Sequence, residues 1–195
     1  MYVVLYNPGA GGNMVSAVID SKDYILGDTD ILTNHDSLRK KLSTCAFEEN
    51  INRVNLTPSD PSLDIATLEK KLSDVLYEIE VEKKYTCIAS HHFFYFIKKT
   101  NYKIILINDI EDEFSDWTLN RAIAHGHDIA QNAHVIYNRK NILYELKSLK
   151  YSDRITKIID MRDILNGKLI TILQEFIDTP LNEQLYKSWL YKNIK

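Results

Sequence analysis

Several short stretches of this 195-residue chain carry residue types that can do chemistry. The first is Asn7-Pro8-Gly9-Ala10-Gly11-Gly12-Asn13-Met14. Successive glycines let backbone N–H groups turn inward around an anion, and a helix that follows adds the positive end of its dipole. The stretch reads as an anion site or as a tight strand-to-helix turn. It does not match a Walker A loop, because Met14 replaces the second glycine and no Lys follows. It does not match a dinucleotide fingerprint either, since Gly9 and Gly11 fit but Met14 does not. The second stretch is Ser90-His91-His92, where a neutral imidazole can serve as general base for a hydroxyl or stand as an exposed pair without a role. The third is Asn108 to Ser115, whose serine can cap a helix or hold a phosphate. The fourth is His125, His127 and His134. On a helix, His-x-His points its rings about 200° apart, so a solvated face is expected rather than a metal site. Arg139-Lys140 reads as surface.

The elements that position these residues alternate. Residues 2–6 are a β-branched and aromatic run, the mark of a buried parallel strand. Met14 to Asp20 carries a helical apolar stripe, so the chain opens strand, glycine loop, helix. Residues 24–26 and 30–32 are apolar pieces that suggest an edge strand, Asp36 to Leu42 a short basic helix, and 51–56 a strand. Thr57 to Pro61 breaks regular structure inside one domain. Residues 62–84 have the periodicity of an amphipathic helix, and 86–89 are a second buried strand. Phe93 to Lys99 reads as a short aromatic helix, and 103–107 as the strongest strand of all. Helices follow over 112–133 and 142–149, then a strand over 154–159. Two closing helices cover 164–177 and 181–193, broken at Thr179-Pro180. Strands separated by helices imply a three-layer α/β/α domain spanning 1–195 around a mainly parallel sheet. In such sheets ligands sit beyond the carboxyl ends of strands. Asn7–Asn13, Ser90–His92, Asn108–Ser115 and Asp160–Asp163 should therefore converge on one crevice.

Composition narrows the classes. Hydrophobic residues make up 45% and charged residues 26%, ordinary values for a chain that buries its own core. At this size roughly 70% of the unfolded surface can be buried, so no staple is needed. A net charge of −3 argues against a nucleic-acid coat or a polybasic membrane binder. Cys45 and Cys87 lie far apart with no CxxC, as expected of reduced thiols in the cytoplasm. The opening apolar run is too short for a signal peptide or a membrane span.

In their order along the chain, these stretches resemble the P-loop sulfotransferase family, in the style of small marine bacterial and phage proteins. The family opens with a strand, a Pro-x-x-Gly phosphosulfate loop and a helix, and Tyr6 to Met14 is similar to it. A family histidine follows a middle strand, where this chain has His91 and His92. The family's Arg-x-Pro-x-Asp-x-x-x-Ser is matched in register by Ile107 to Ser115, with Glu111 on the acidic position and Ile107 in place of the Arg. A late strand, an acidic step, a helix and Phe-Leu-Gly-x-Pro are similar to Ile158 to Leu165 and Phe176 to Pro180.

The resemblance implies transfer of a sulfuryl group from 3′-phosphoadenosine 5′-phosphosulfate to a hydroxyl of a small molecule or glycan. His91 or His92 would be the base. Pro8, Gly9, Ala10, Gly11, Gly12, Asn13 and Met14 would cradle the cofactor, Ser115 would touch its 3′-phosphate, and Arg121 is the side chain that can replace the missing Arg. No metal, nucleic acid or membrane partner is implied. The rival readings are a P-loop protein that binds a nucleotide or phosphometabolite without this reaction, and a scaffold that kept the fold and lost the site.

Overall fold

A computed structural model of the chain describes residues 1–6, 9–20, 24–26, 32–34, 45–48, 53–56, 65–82, 85–90, 93–109, 116–118, 120 and 152–194. The strands are β1 (Tyr2–Leu5), β2 (Tyr24–Leu26), β3 (Leu32–Asn34), β4 (Cys45–Glu48), β5 (Arg53–Leu56), β6 (Cys87–Ser90), β7 (Lys103–Asn108) and β8 (Ile155–Asp160). The helices are α1 (Gly12–Asp20), α2 (Ile65–Glu82), α3 (Phe93–Lys99), α4 (Met161–Leu165), α5 (Leu169–Gln174) and α6 (Glu183–Asn193). Residues 116–118 and 120 are also helical.

The main sheet has the order β4-β5-β6-β1-β7-β8. Strands β5, β6, β1, β7 and β8 are parallel, and β4 adds an antiparallel edge on β5. Alternate residues of the strands feed opposite faces, as the period of two requires. Val4, Cys87, Ala89, Ile105, Ile107 and Ile159 pack on one face with α1, α4, α5 and α6. Val3, Leu5, Ile88, Ile104 and Leu106 pack on the other with Leu72, Leu76 and Ile79 of α2 and Phe96 and Ile97 of α3. The chain leaves β1 across one face through α1, then returns across the other through α2 and α3. Crossovers of a single hand demand that change of face when the direction along the sheet reverses.

Polar ties hold the layers in register. Asp20, buried at the end of α1, accepts from the Thr86 backbone N–H at 2.6 Å and from its hydroxyl at 3.0 Å, fixing the helix to the start of β6. The Arg154 guanidinium donates to the carbonyls of Ile97 (3.3 Å) and Thr100, which complements the carboxyl end of α3. The Asn182 side chain caps α6 through the Leu185 N–H at 3.0 Å, while the Asn182 backbone N–H reaches the Val18 carbonyl at 2.9 Å.

Three expectations change. The pieces near 24–32 are not an edge of the main sheet; β2 and β3 pair antiparallel as a ladder of their own. The strand β4 was not anticipated, because Cys-Ala-Phe-Glu is too short to show alternation. The single helix over 164–177 is two helices, and the first begins directly after Asp160. Gly167 separates them at a φ of 80°. Lys168 donates to the Asp163 carbonyl at 2.9 Å and Gly167 to that of Ile164 at 3.3 Å, the glycine-terminated helix end known as a Schellman motif. The expected helices at 36–42 and 142–149, the loop at 57–61 and most of the helix at 112–133 lie outside the described residues.

Cys87 lies wholly inside the first core. Burial pushes its thiol well above the usual range, and the nearby Asp20 carboxylate adds in the same direction. The folded chain therefore holds a proton that the unfolded chain releases. The associated stability is complete below about pH 8.5 and declines as pH rises past it. Urea unfolding between about pH 8 and pH 9.5 should show a downward slope that is shallower in Cys87→Ala; equal slopes would contradict this placement.

Candidate functional site

The parallel register brings the carboxyl ends of four strands onto one edge. Leu5 of β1 pairs with Ser90 of β6 and with Leu106 of β7, and Asn108 of β7 pairs with Asp160 of β8. The Tyr6 N–H reaches the Ser90 carbonyl at 3.4 Å, extending the β1–β6 ladder by one step. The reversal of chain direction places the switch of connections at β1, the position where open parallel sheets take ligands.

The glycine turn leaves β1 at this edge. Gly9 and Gly11 have φ of 88° and 73°, a region closed to most side chains. The first bond of α1 runs from the Val15 N–H to the Gly11 carbonyl at 3.1 Å. Among the described residues, the N–H groups of Gly12, Asn13 and Met14 thus meet no carbonyl one turn back, the usual condition of a helix start. Aromatic rings brace the turn from the side. A Cβ on Gly12 would fall within the van der Waals envelope of the Tyr6 ring, and one on Gly11 would lie 3.1 Å from Trp189 Cζ2. The Tyr6 hydroxyl donates to Asn13 Oδ1 at 2.5 Å. Trp189 of α6 is 1% exposed and meets Trp117 edge-on at 6.3 Å. Thr118, beside Trp117, donates from its hydroxyl to Asp109 Oδ2 at 3.0 Å. The segment after β7 is thereby held against the turn through Trp189.

The far side of the edge is polar. Asn108 donates from Nδ2 to Asp160 Oδ1, and the buried Asn108 Oδ1 finds no partner among the described residues. A buried carbonyl left without a donor costs about 1–3 kcal/mol. Asp160 stands at the N-cap of α4, yet its side chain makes no capping bond; it faces Asn108 instead. Asp109 is 1% exposed and Ser90 is fully buried.

Of the residues that the sequence singled out, Gly9, Ala10, Gly11, Gly12, Asn13 and Met14 form the turn and the start of α1. Ala10, Gly11, Gly12 and Met14 are buried as whole residues, while Gly9 and Asn13 keep partial exposure. Pro8, His91, His92, Ser115 and Arg121 lie outside the described residues, as do His125, His127, His134, Arg139 and Lys140. Ile107 is completely buried in the first core. Sequence reasoning missed Trp189, since nothing in the spacing ties residue 189 to residue 11. The expected convergence of the strand ends holds for Asn108 and Asp160, but the hydrogen bond between their side chains was not read from the sequence. No group of three or more His, Cys, Asp or Glu suited to a metal ion occurs among the described residues, and no described helix is long and apolar enough to cross a membrane.

No family model matches the chain, and no curated protein or solved structure matches it.

The glycine–ring contact is open to a direct check. Gly12→Ala must displace the Tyr6 ring, at a cost of about 1–3 kcal/mol. In Tyr6→Ala the same glycine substitution should cost almost nothing. Strictly additive losses in urea unfolding of the double variant would show that the ring does not pack on Gly12.

Proposed function

We propose that the chain binds a phosphate-bearing small molecule, in the first instance a nucleotide, beyond the carboxyl end of β1. The observation that carries this reading is the turn itself. It departs from the switch strand with two glycines at positive φ and delivers the chain into a helix whose first amides meet no carbonyl among the described residues. Backbone amides and the helix dipole attract an anion without any lysine. A turn so supplied favours binding over transfer chemistry, because a cation that stabilises charge in a transition state is worth several kcal/mol and the turn carries none.

Sulfuryl transfer from 3′-phosphoadenosine 5′-phosphosulfate to a hydroxyl is the more specific form of the proposal. It is favoured by β6, which pairs with β1 and ends at Ser90, the residue before His91 and His92. In that form one histidine takes the hydroxyl proton, the turn holds the 5′-phosphosulfate, and Ser115 with Arg121 reads the 3′-phosphate.

Gly11→Val is a poor probe of binding, because its side chain meets Trp189 and its φ is strained with or without ligand. Asn13→Asp is better. It keeps the acceptor for Tyr6 and suits a helix start, yet sets a negative charge beside the first amides. Adenosine 3′,5′-bisphosphate, ATP, GTP, AMP and NAD at millimolar concentration should include at least one ligand that raises Tm. A ligand at 100 times its Kd adds about 2.7 kcal/mol, or roughly 5–10 °C for a chain of this size. Asn13→Asp should weaken that ligand at least about 10-fold in calorimetry. Absence of any shift across the panel would overturn the proposal. Preference for the 3′-phosphate that disappears in Arg121→Ala would support the sulfuryl-transfer form, and indifference to that phosphate would reject it.

A further inference from the structure

We propose that Asn108 and Asp160 form a subsite for the protonated amine of a small-molecule ligand. The pair stands on the same polar edge as the glycine turn but on the next strands over. With strands about 4.8 Å apart, Asn108 lies roughly 5 Å and Asp160 roughly 10 Å across the sheet from β1. The inference does not rest on the phosphate reading of the turn.

The argument begins with an oxygen. Asn108 is 8% exposed, its Nδ2 donates to Asp160 Oδ1, and its buried Oδ1 has no partner among the described residues. Reversing the amide would set two oxygens face to face, so the carbonyl is the atom that needs a donor. Asp160 adds a second peculiarity. An aspartate at an N-cap ordinarily accepts from the helix amides, but this one turns its carboxylate to Asn108 and leaves α4 uncapped by a side chain. Asp160 itself is only half-buried.

Charge selects the class of donor. Asp160 brings a carboxylate to the pair, and Asp109, almost wholly buried, follows Asn108 directly, whereas Asp163 is already engaged by Lys168 at 3.1 Å. An anion is repelled here, and an apolar group leaves the carbonyl unpartnered. A neutral hydroxyl supplies a donor but no charge. An ammonium supplies three donors and a positive charge, enough to engage Asn108 Oδ1 and the carboxylate of Asp160 together.

The test uses methylammonium chloride on ¹⁵N-labelled protein, at ionic strength held constant with sodium chloride. Two heavy atoms cannot bind tighter than about 10 mM, so the titration runs to about 200 mM. The resonance followed is the Asn108 side-chain NH₂, identified by its loss in Asn108→Leu. Methylammonium should shift it saturably, and Asp160→Asn, which keeps an acceptor for Asn108 Nδ2 but removes the charge, should weaken the effect at least about 10-fold. Tetramethylammonium, with the charge but no N–H, should leave it in place. The proposal fails if no saturable shift occurs, if tetramethylammonium shifts the resonance equally, if ethylene glycol saturates it more tightly than methylammonium, or if Asp160→Asn binds as the parent does. Should Asn108→Leu not fold, the Asp160→Asn comparison decides alone, with the resonance assigned by through-bond spectra.

Discussion

Strand β1 is paired on both sides, and the rest of the fold answers to that pairing. Tyr2 to Leu5 are matched residue for residue with β6 on one flank and β7 on the other. Val3, Val4 and Leu5 are completely buried, with Val4 facing one core and Val3 and Leu5 the other. A strand closed in on both edges and both faces must be apolar throughout, which is why Tyr-Val-Val-Leu shows no alternation. Its carboxyl end has one way out, over the edge of the sheet and back across a face. Gly9 and Gly11 at positive φ make that reversal, the Trp189 ring closes on Gly11, and the Tyr6 ring takes the space a side chain on the helical Gly12 would need.

The same constraint explains which parts of the molecule were legible in the sequence. The runs at 2–6, 86–89, 103–107 and 154–159 stand out because double-sided burial needs unbroken apolar stretches. Residues 62–84 stand out because Leu72, Leu76 and Ile79 bury one side of a long helix while Tyr77 and Val81 stay exposed. Elements that one weak feature decides did not stand out. The edge strand β4 has a single main-sheet partner and four residues. The break between α4 and α5 hangs on Gly167, a lone glycine within an apolar periodicity that otherwise continues through it. The glycine turn was legible as a turn, but its lining was not. Tyr6 braces it from only six residues away, but Trp189 reaches it through tertiary packing, and no local pattern encodes a contact across more than 170 residues.

The polar edge follows from the architecture as well. Parallel strands end together, so the first polar residue after each apolar run arrives at one place. Ser90, Asn108, Asp109 and Asp160 are gathered there by register alone. Most of this polarity is satisfied internally: Thr118 serves Asp109, and Asn108 serves Asp160. The unpartnered Asn108 carbonyl breaks that economy on the side of the sheet facing α2 and α3, and the uncapped start of α4 breaks it beside the same pair. Replacement of both polar partners by apolar groups is often neutral or stabilising, so retention of an imperfectly satisfied pair is the pattern expected of a site rather than of a core.

Native-state amide hydrogen exchange tests the central claim most directly. Residues near the start of a chain ordinarily fray and exchange fast. If β1 is the doubly paired centre of the sheet, the ladder-bonded amides within residues 3–5 should exchange only through global unfolding. Their exchange free energy should equal that from denaturant unfolding and match the ladder amides of β6 and β7. Exchange of the residue 3–5 amides at the rate of a frayed terminus, while β6 and β7 stay protected, would contradict the account, since those two strands would then have to pair without β1 between them.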